Sequence, residues 1–206
     1  MLRLWGRLNS INVQKAAFAL EEAGAPYERI DAGMAFGIVG TPEYRAKNPN
    51  GLIPLLEDGD FTVWESNVIV RYVAAQYASG TLWPLDARAR ASADKWMDWQ
   101  QTTLVVALGP AFLGLIRTPP EQRDAKAIEA SVAKTDELMG RLNAALSATS
   151  HVAGERFTMG DIPIAATVHR WLNLPIARTD YPAIKAYYAR VMARPAAQKS
   201  LILPVT

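Results

Sequence analysis

The sequence predicts a small mixed α/β domain followed by an all-helical domain. Residues 1–78 carry strand and helix patterns in the order βαβ and then ββα, whereas the rest of the chain shows helical patterns alone. A segment with a Ser-Gly turn signal and an apolar Leu-Trp-Pro-Leu stretch separates the two halves. We therefore expect domains at 1–78 and 87–206, joined by a linker at 79–86.

In the first domain, segments with the apolar spacing of a strand are interspersed with segments that have the apolar spacing of a helix. The predicted elements are strands at 2–5, 27–31, 54–57 and 61–64, and helices that end near Gly24 and span 66–77. Gly24 suits the left-handed conformation that ends many helices. Asp58-Gly59-Asp60 predicts a hairpin turn between the last two strands. The first three elements form a βαβ unit, for which a right-handed crossover is expected.

The second domain is predicted from long helical patterns. The predicted helices span 87–108, with a kink expected at Gly109-Pro110, then 120–146, 161–172 and 182–192. Pro120 stands where a proline is well tolerated, in the first turn of a helix.

Composition excludes several classes of function. The 22 basic and 20 acidic residues are intermingled and leave a net charge of +2, which favours neither nucleic acid nor a membrane surface. No apolar stretch looks long enough to span a bilayer, and the N-terminus lacks a signal-peptide pattern, so we expect a cytoplasmic protein with a small-molecule partner. The absence of cysteine and the presence of only two histidines predict no disulfide, no metal site and no protein thiol nucleophile.

The segment from Asn48 to Pro54, followed by Glu65-Ser66, predicts a site for a peptide-like ligand. A residue before proline is extended, so Ile53 would offer its N–H and C=O like a free strand edge, and a cis bond to Pro54 would expose them. Ser66 precedes an apolar helical run and is a candidate N-cap beside free amides that bind a carboxylate. Glu65 could then pair with a ligand ammonium. The alternative is that Ser66 only caps its helix.

Ser10 and Asn12 lie between the first strand and the first helix, where open α/β sheets place ligands. One of them could instead merely cap the helix. No histidine or G-x-S-x-G motif accompanies Ser10, which excludes a serine-hydrolase arrangement. Ser10 is therefore predicted to act as a hydrogen-bond donor.

Two motifs in the helical half have structural interpretations. Thr158-Met159-Gly160-Asp161 has the spacing of a capping box, flanked by apolar residues placed as a hydrophobic staple. Trp96, Trp99 and Thr103 share one helix face, which is more often a core face than a substrate wall.

Taken together, these motifs resemble the soluble glutathione S-transferase family over essentially the whole chain. The matching segments are Ser10-Ile11-Asn12-Val13-Gln14-Lys15, Asn48 to Pro54, Trp64 to Tyr72 and Phe157 to Ile162. The resemblance is closest to the serine-using, theta- and phi-like branches of bacteria and plants. It implies a thioredoxin-like N-terminal domain that binds glutathione, a helical domain that covers a hydrophobic electrophile, and a homodimer with no cofactor besides the co-substrate.

The resemblance also assigns roles to residues. Ser10 would hydrogen-bond the glutathione sulfur, with Asn12 as the rival donor. The residues that would bind the rest of glutathione are Ile53, Pro54, Glu65, Ser66 and, for the glycyl carboxylate, Lys47, with Arg45 or Arg7 as alternatives. Those that would line the second-substrate site are Trp99, Thr103 and Phe112. Glutathione-dependent disulfide reduction and a non-catalytic binding role remain alternative functions.

Overall fold

The computed structural model describes all 206 residues, and its elements follow the predicted order. The strands are β1 (Leu2–Trp5), β2 (Tyr27–Ile30), β3 (Leu55–Asp58) and β4 (Phe61–Trp64). The helices are α1 (Ile11–Glu22), α2 (Pro42–Lys47), α3 (Ser66–Tyr77), α4 (Ala87–Trp99), α5 (Val105–Phe112), α6 (Ala125–Leu146), α7 (Asp161–Leu172), α8 (Pro182–Met192) and α9 (Pro195–Ser200). The predicted fold class, a thioredoxin-like half followed by a helical half, is confirmed.

The four strands form one mixed sheet in the order β2-β1-β3-β4, with β1 and β2 parallel and the other pairs antiparallel. Leu4 of β1 stands opposite Leu56 of β3, and both are fully buried. Helices α1 and α3 pack on each other and on the sheet. As predicted, Gly24 takes a left-handed φ of +63° just after α1.

Helix α1 joins the two halves of the molecule. All its residues from Val13 to Leu20 are buried, because α3 contacts one side and α7 and α9 contact the other. The apolar side chains of both halves form one continuous buried cluster. The N-terminus of α1, where Ser10 lies, is therefore positioned by packing from both halves.

The helical half differs from the prediction in two places. Asp124 caps α6 by accepting from the Ala127 N–H at 3.0 Å, so this helix begins at Ala125 and Pro120 lies in a separate 3₁₀ turn. The helix pattern from 87 also continues past Gly109-Pro110, since two π-helical segments, Gln100–Leu104 and Leu113–Arg117, extend the run. The short helices α2 and α9 were not predicted.

The resulting helical run, Ala87–Arg117, is long and apolar enough to cross a membrane by length and composition. This corrects the expectation that no stretch of the chain had that length. Core helices of soluble proteins meet the same criterion, and Met97, Leu104 and Leu108 of this run are buried in the core.

Candidate functional site

A small cavity of about 100 Å³ brings together three of the predicted segments. It is lined by Asn12, Asn48, Asn50, Leu52, Ile53, Pro54, Trp64, Glu65 and Ser66. These residues come from the loop before β3, the end of β4 and the N-termini of α1 and α3. The 48–54 segment and the Glu65-Ser66 pair thus face one common space, as the sequence predicted.

Ile53 presents a free backbone edge to this cavity. The Ile53–Pro54 bond is cis, and neither the N–H nor the C=O of Ile53 has a hydrogen-bond partner. The preceding carbonyl, that of Leu52, is instead held by the Tyr44 hydroxyl at 2.7 Å and the Asn48 amide at 2.8 Å. This anchoring keeps the loop in place while the Ile53 groups stay available to an extended ligand.

The N-terminus of α3 differs from the prediction in one respect. Ser66 is the first helical residue and not the N-cap; Glu65 holds the N-cap position at φ +70°, with no capping bond from its side chain. A positive φ is strained for glutamate and costs on the order of 1–3 kcal/mol. The amides of the first turn keep no partner, and the exposed Glu65 carboxylate lies beside them.

Ser66 and Asn12 connect the two helix N-termini. The buried Ser66 hydroxyl donates to the Asn12 side-chain oxygen at 3.2 Å. Asn12 is otherwise exposed and lines the cavity. Asn12 therefore bridges α1 and α3 rather than capping its own helix.

Ser10 stands at the N-cap position of α1, but its hydroxyl makes no capping bond. Its N–H donates to the Arg7 carbonyl at 3.1 Å, and its C=O accepts the first helical bond from Gln14. The hydroxyl has no partner, so it remains a free donor at the positive end of a helix. Ser10 does not itself line the small cavity.

A buried polar network under α3 was not predicted. The Lys15 ammonium, 2% exposed, donates to the Asn67 side-chain oxygen at 3.0 Å. The Asn67 amide donates to the Met97 carbonyl at 2.8 Å and to Gln100 at 3.3 Å, and Gln100 donates to Thr167 at 3.0 Å. These bonds tie the N-terminus of α3 to α1, α4 and α7.

Burial lowers the pKa of Lys15 to about 7, although the charge of Glu65 favours its protonated form. The ammonium contacts the first turn of α3 through Asn67, and the charge of Arg170 further lowers its pKa. Lysine in an amphipathic helix usually faces solvent, so the sequence carried no signal for this residue.

Lys47 is placed outside the cavity. Its ammonium pairs with Glu57 of β3 and lies 5.3 Å from the centre of the Trp5 ring. Glu57 also accepts from the Trp5 indole at 3.0 Å. The charge of Lys47 is thus already partnered in this structure.

The three predicted second-substrate residues are dispersed. Trp99 lines a separate cavity of about 320 Å³ with Lys95, Trp96 and Arg141, which shares no residue with the cavity at Ser66. Thr103 lies in the π-helical turn that follows α4. Phe112, nearly buried, packs beneath the Arg170 guanidinium, 3.7 Å from the ring centre. No group of three or more His, Asp or Glu side chains is arranged to hold a metal ion.

Comparisons with known proteins agree with this geometry. The glutathione S-transferase N-terminal domain family matches residues 1–75, and the C-terminal domain family matches 102–195. The chain is 45% identical to glutathione S-transferase GstB of Escherichia coli, with complete coverage of both.

Solved structures give the same result. The theta class glutathione S-transferase of Xanthomonas axonopodis pv. citri with glutathione bound superposes with a TM-score of 0.96 at 45% identity, over 100% of this chain and 99% of that one. Glutathione S-transferase I of maize, in complex with an atrazine glutathione conjugate, gives 0.89 at 27% identity, over 97% and 96%. The chain therefore belongs to the glutathione S-transferase family.

Proposed function

We propose that this chain conjugates the thiolate of glutathione to an apolar electrophile, with glutathione extended across the cavity between Ile53 and Ser66. The observation that carries the proposal is the convergence of unpartnered groups there. Ile53 offers its N–H and C=O to the cysteinyl unit. Glu65 pairs with the γ-glutamyl ammonium, and the free first-turn amides of α3 take its α-carboxylate. The Ser66 hydroxyl joins them by giving up its bond to the Asn12 oxygen.

Ser10 stabilises the sulfur in this proposal. A thiol of pKa about 8.5 must lose about 2 units to ionise near neutrality, which requires roughly 2.7 kcal/mol of preferential thiolate stabilisation. A free hydroxyl donor at the N-terminus of α1 is suited to supply it. The proton passes to water, the sulfur forms a bond to the electrophilic carbon, and the leaving group departs with its bonding electrons.

Asn12 is the rival donor to the sulfur. Its side-chain oxygen already accepts from Ser66, so its amide N–H groups point away from that bond and remain available. Lys47 would reach the glycyl carboxylate only by sharing its charge with Glu57.

We extend the proposal to the domain boundaries, the second substrate and the assembly of the protein. We assign residues 1–78 to the glutathione-binding domain, 79–86 to the linker and 87–206 to the domain that covers the second substrate, where Trp99, Thr103 and Phe112 supply apolar surface. The maize relative bound to an atrazine conjugate supports a hydrophobic, foreign electrophile and hence a role in detoxification. A cytoplasmic homodimer is the form we propose.

Calorimetry with two ligands tests the glutathione site. The ligands are glutathione and its des-amino analogue, which lacks only the γ-glutamyl ammonium. The wild type should bind glutathione more tightly by roughly 1.5–3 kcal/mol, and Glu65→Ala should abolish that difference. Equal binding of both ligands by the wild type would exclude Glu65 as the ammonium partner.

A turnover panel tests the reaction. We expect conjugation of 1-chloro-2,4-dinitrobenzene, with lower rates for a peroxide and for a mixed disulfide of glutathione. Turnover of the disulfide alone would favour the reductase alternative. Glutathione binding without any turnover would favour the non-catalytic one.

A further inference from the structure

Three arginines from distant parts of the chain lie close enough for their charges to oppose one another. Arg7 lies in the β1–α1 loop, Arg117 ends the helical run that follows α5, and Arg170 lies on α7. The guanidinium groups of Arg117 and Arg170 contact the same Phe112 ring, at 5.4 Å and 3.7 Å from its centre. We call Arg7, Arg117 and Arg170 the arginine cluster.

No carboxylate pairs with any member of the arginine cluster, whereas Arg71 and Arg194 elsewhere in the chain have acidic partners. The Nε atoms of Arg7 and Arg117 are buried without any hydrogen-bond partner. Arg117 otherwise donates only to the Met34 sulfur, at 3.0 Å, and Arg7 only to the Asn9 side chain, at 3.2 Å. Arg170 has no hydrogen bond from its side chain.

The three positive charges oppose one another. Burial, followed by the charges of Arg117 and Arg7, lowers the pKa of Arg170 to about 10. Burial and the charge of Arg117 also lower the pKa of Arg7. Guanidinium groups keep their charge in proteins, so an anion that enters the cluster would relieve the repulsion between them and supply the hydrogen bonds that they lack.

The backbone of one member of the arginine cluster lies next to Ser10, the proposed hydrogen-bond donor to the sulfur. The Arg7 carbonyl accepts the N–H of Ser10 at 3.1 Å, so the two residues share one turn. Arg117 and Arg170 belong to the helical half, from which the second substrate is covered. An anion in the cluster would therefore lie between the glutathione-binding half and the helical half.

We propose that the arginine cluster binds the carboxylate of an acidic electrophile and so orients its reactive carbon towards the glutathione sulfur. This inference rests on the proposed conjugation activity and adds a substrate class to it. Guanidinium groups are suited to carboxylates because they donate two parallel hydrogen bonds to the two oxygens. The buried Phe112 ring stacks against the Arg170 guanidinium and holds it in place by a cation–π contact.

A matched pair of aryl halides tests the proposal: 4-chloro-3-nitrobenzoate and the neutral 4-chloro-3-nitrobenzamide. In both, the thiolate forms a C–S bond at the ring carbon, chloride leaves with the C–Cl electron pair, and the thiol proton goes to solvent. Each kcat/KM is divided by the uncatalysed rate constant with glutathione, which removes the difference in intrinsic reactivity. We expect the wild type to prefer the acid by about tenfold or more.

The variants Arg7→Gln, Arg117→Gln and Arg170→Gln should each lower this acid preference by about tenfold while the normalised rate for the amide changes little. Arg88→Gln, at an exposed position on α4, is the matched control and should leave the preference intact. No acid preference in the wild type would overturn the proposal. Equal losses for acid and amide, with a raised KM for glutathione, would overturn it in favour of binding to the glycyl carboxylate of glutathione.

A binding measurement separates this proposal from the conjugation activity. 3-Nitrobenzoate has no leaving group, so its calorimetric affinity for the glutathione-loaded wild type does not depend on turnover. Tighter binding than that of 3-nitrobenzamide supports the arginine cluster even if no halide is conjugated, and equal binding contradicts it. Failure of the proposed conjugation would instead appear as no turnover of the neutral 1-chloro-2,4-dinitrobenzene.

Discussion

The N-termini of α3 and α7 each carry an acidic residue, Glu65 and Asp161, but the two carboxylates have different surroundings. At α7, the Asp161 carboxylate is fully buried and accepts from the Val152 N–H at 3.0 Å and the Thr158 N–H at 2.8 Å. At α3, the Glu65 carboxylate is exposed, makes no capping bond and sits on a residue with φ +70°. The Asp161 carboxylate is paired within the fold, whereas the Glu65 carboxylate is free, and we propose that it binds a ligand.

The two helix N-termini differ in how far their polar groups are paired within the protein. Both oxygens of the Asp161 carboxylate are used within the protein, since each accepts a backbone N–H group. Around Glu65 the first-turn amides and the neighbouring backbone of Ile53 are unpartnered, and the local backbone is strained. The first turn of α3 is instead fixed by the buried bond between Lys15 and Asn67.

The largest effect is expected at α7. Asp161→Ala should lower the free energy of unfolding by about 3 kcal/mol, because it leaves two buried N–H groups without partners at roughly 1–3 kcal/mol each. The spacing of a capping box alone predicts about 1 kcal/mol. Urea titration measures the loss, and the glutathione affinity of the folded protein should not change. A loss below 1 kcal/mol would mean that water replaces the carboxylate.

The next effect is the pH dependence of stability that arises from the buried Lys15, which contacts the first turn of α3. In the folded protein the pKa of Lys15 is about 7, against about 10.4 when unfolded, so between these values the unfolded chain binds a proton that the folded chain does not. Stability should therefore rise from pH 7 to pH 9, on the order of 2 kcal/mol from this group. Lys15→Met should remove the rise, whereas Lys126→Met, at an exposed position on α6, should keep it. An unchanged profile in Lys15→Met would refute the assignment.

The smallest effect separates strain from binding at α3. Glu65→Gly should raise the free energy of unfolding by about 1 kcal/mol, since glycine adopts a positive φ without strain. The same variant should weaken glutathione binding, because the carboxylate is lost. Glu65→Ala should weaken binding equally without the gain in stability. If Glu65→Gly is less stable than the wild type, the strain is not stored at this residue.

The features of this fold that depend on local sequence were predicted correctly, whereas those that depend on contacts between distant residues were not. The strands, α3 and the convergence of Ile53 with Ser66 followed from periodicity and from the constraint that proline places on its neighbour. The start of α6 was wrong because the cap at Asp124 outweighs the preference for Pro120. The burial of Lys15 and the arginine cluster could not be predicted from sequence patterns, since the residues that contact them are far away in the chain.

The prediction that Ser66 is the N-cap of α3 was wrong for a different reason. A serine before an apolar run has the pattern of an N-cap, but the cap position falls on Glu65, whose positive φ no propensity scale favours. Strain of this kind is imposed by the surrounding fold. It cannot be derived from the local sequence.

We propose that the free Ser10 hydroxyl stabilises the glutathione thiolate, and the absorbance of the bound thiolate across a pH series measures this stabilisation. Ser10→Ala should shift the titration of the bound thiol towards alkaline pH, because the charged form loses a donor, while glutathione affinity changes little. Asn12→Ala should shift it less. A titration curve that Ser10→Ala leaves unaltered and Asn12→Ala displaces would exclude Ser10 and show that the Asn12 amide stabilises the sulfur.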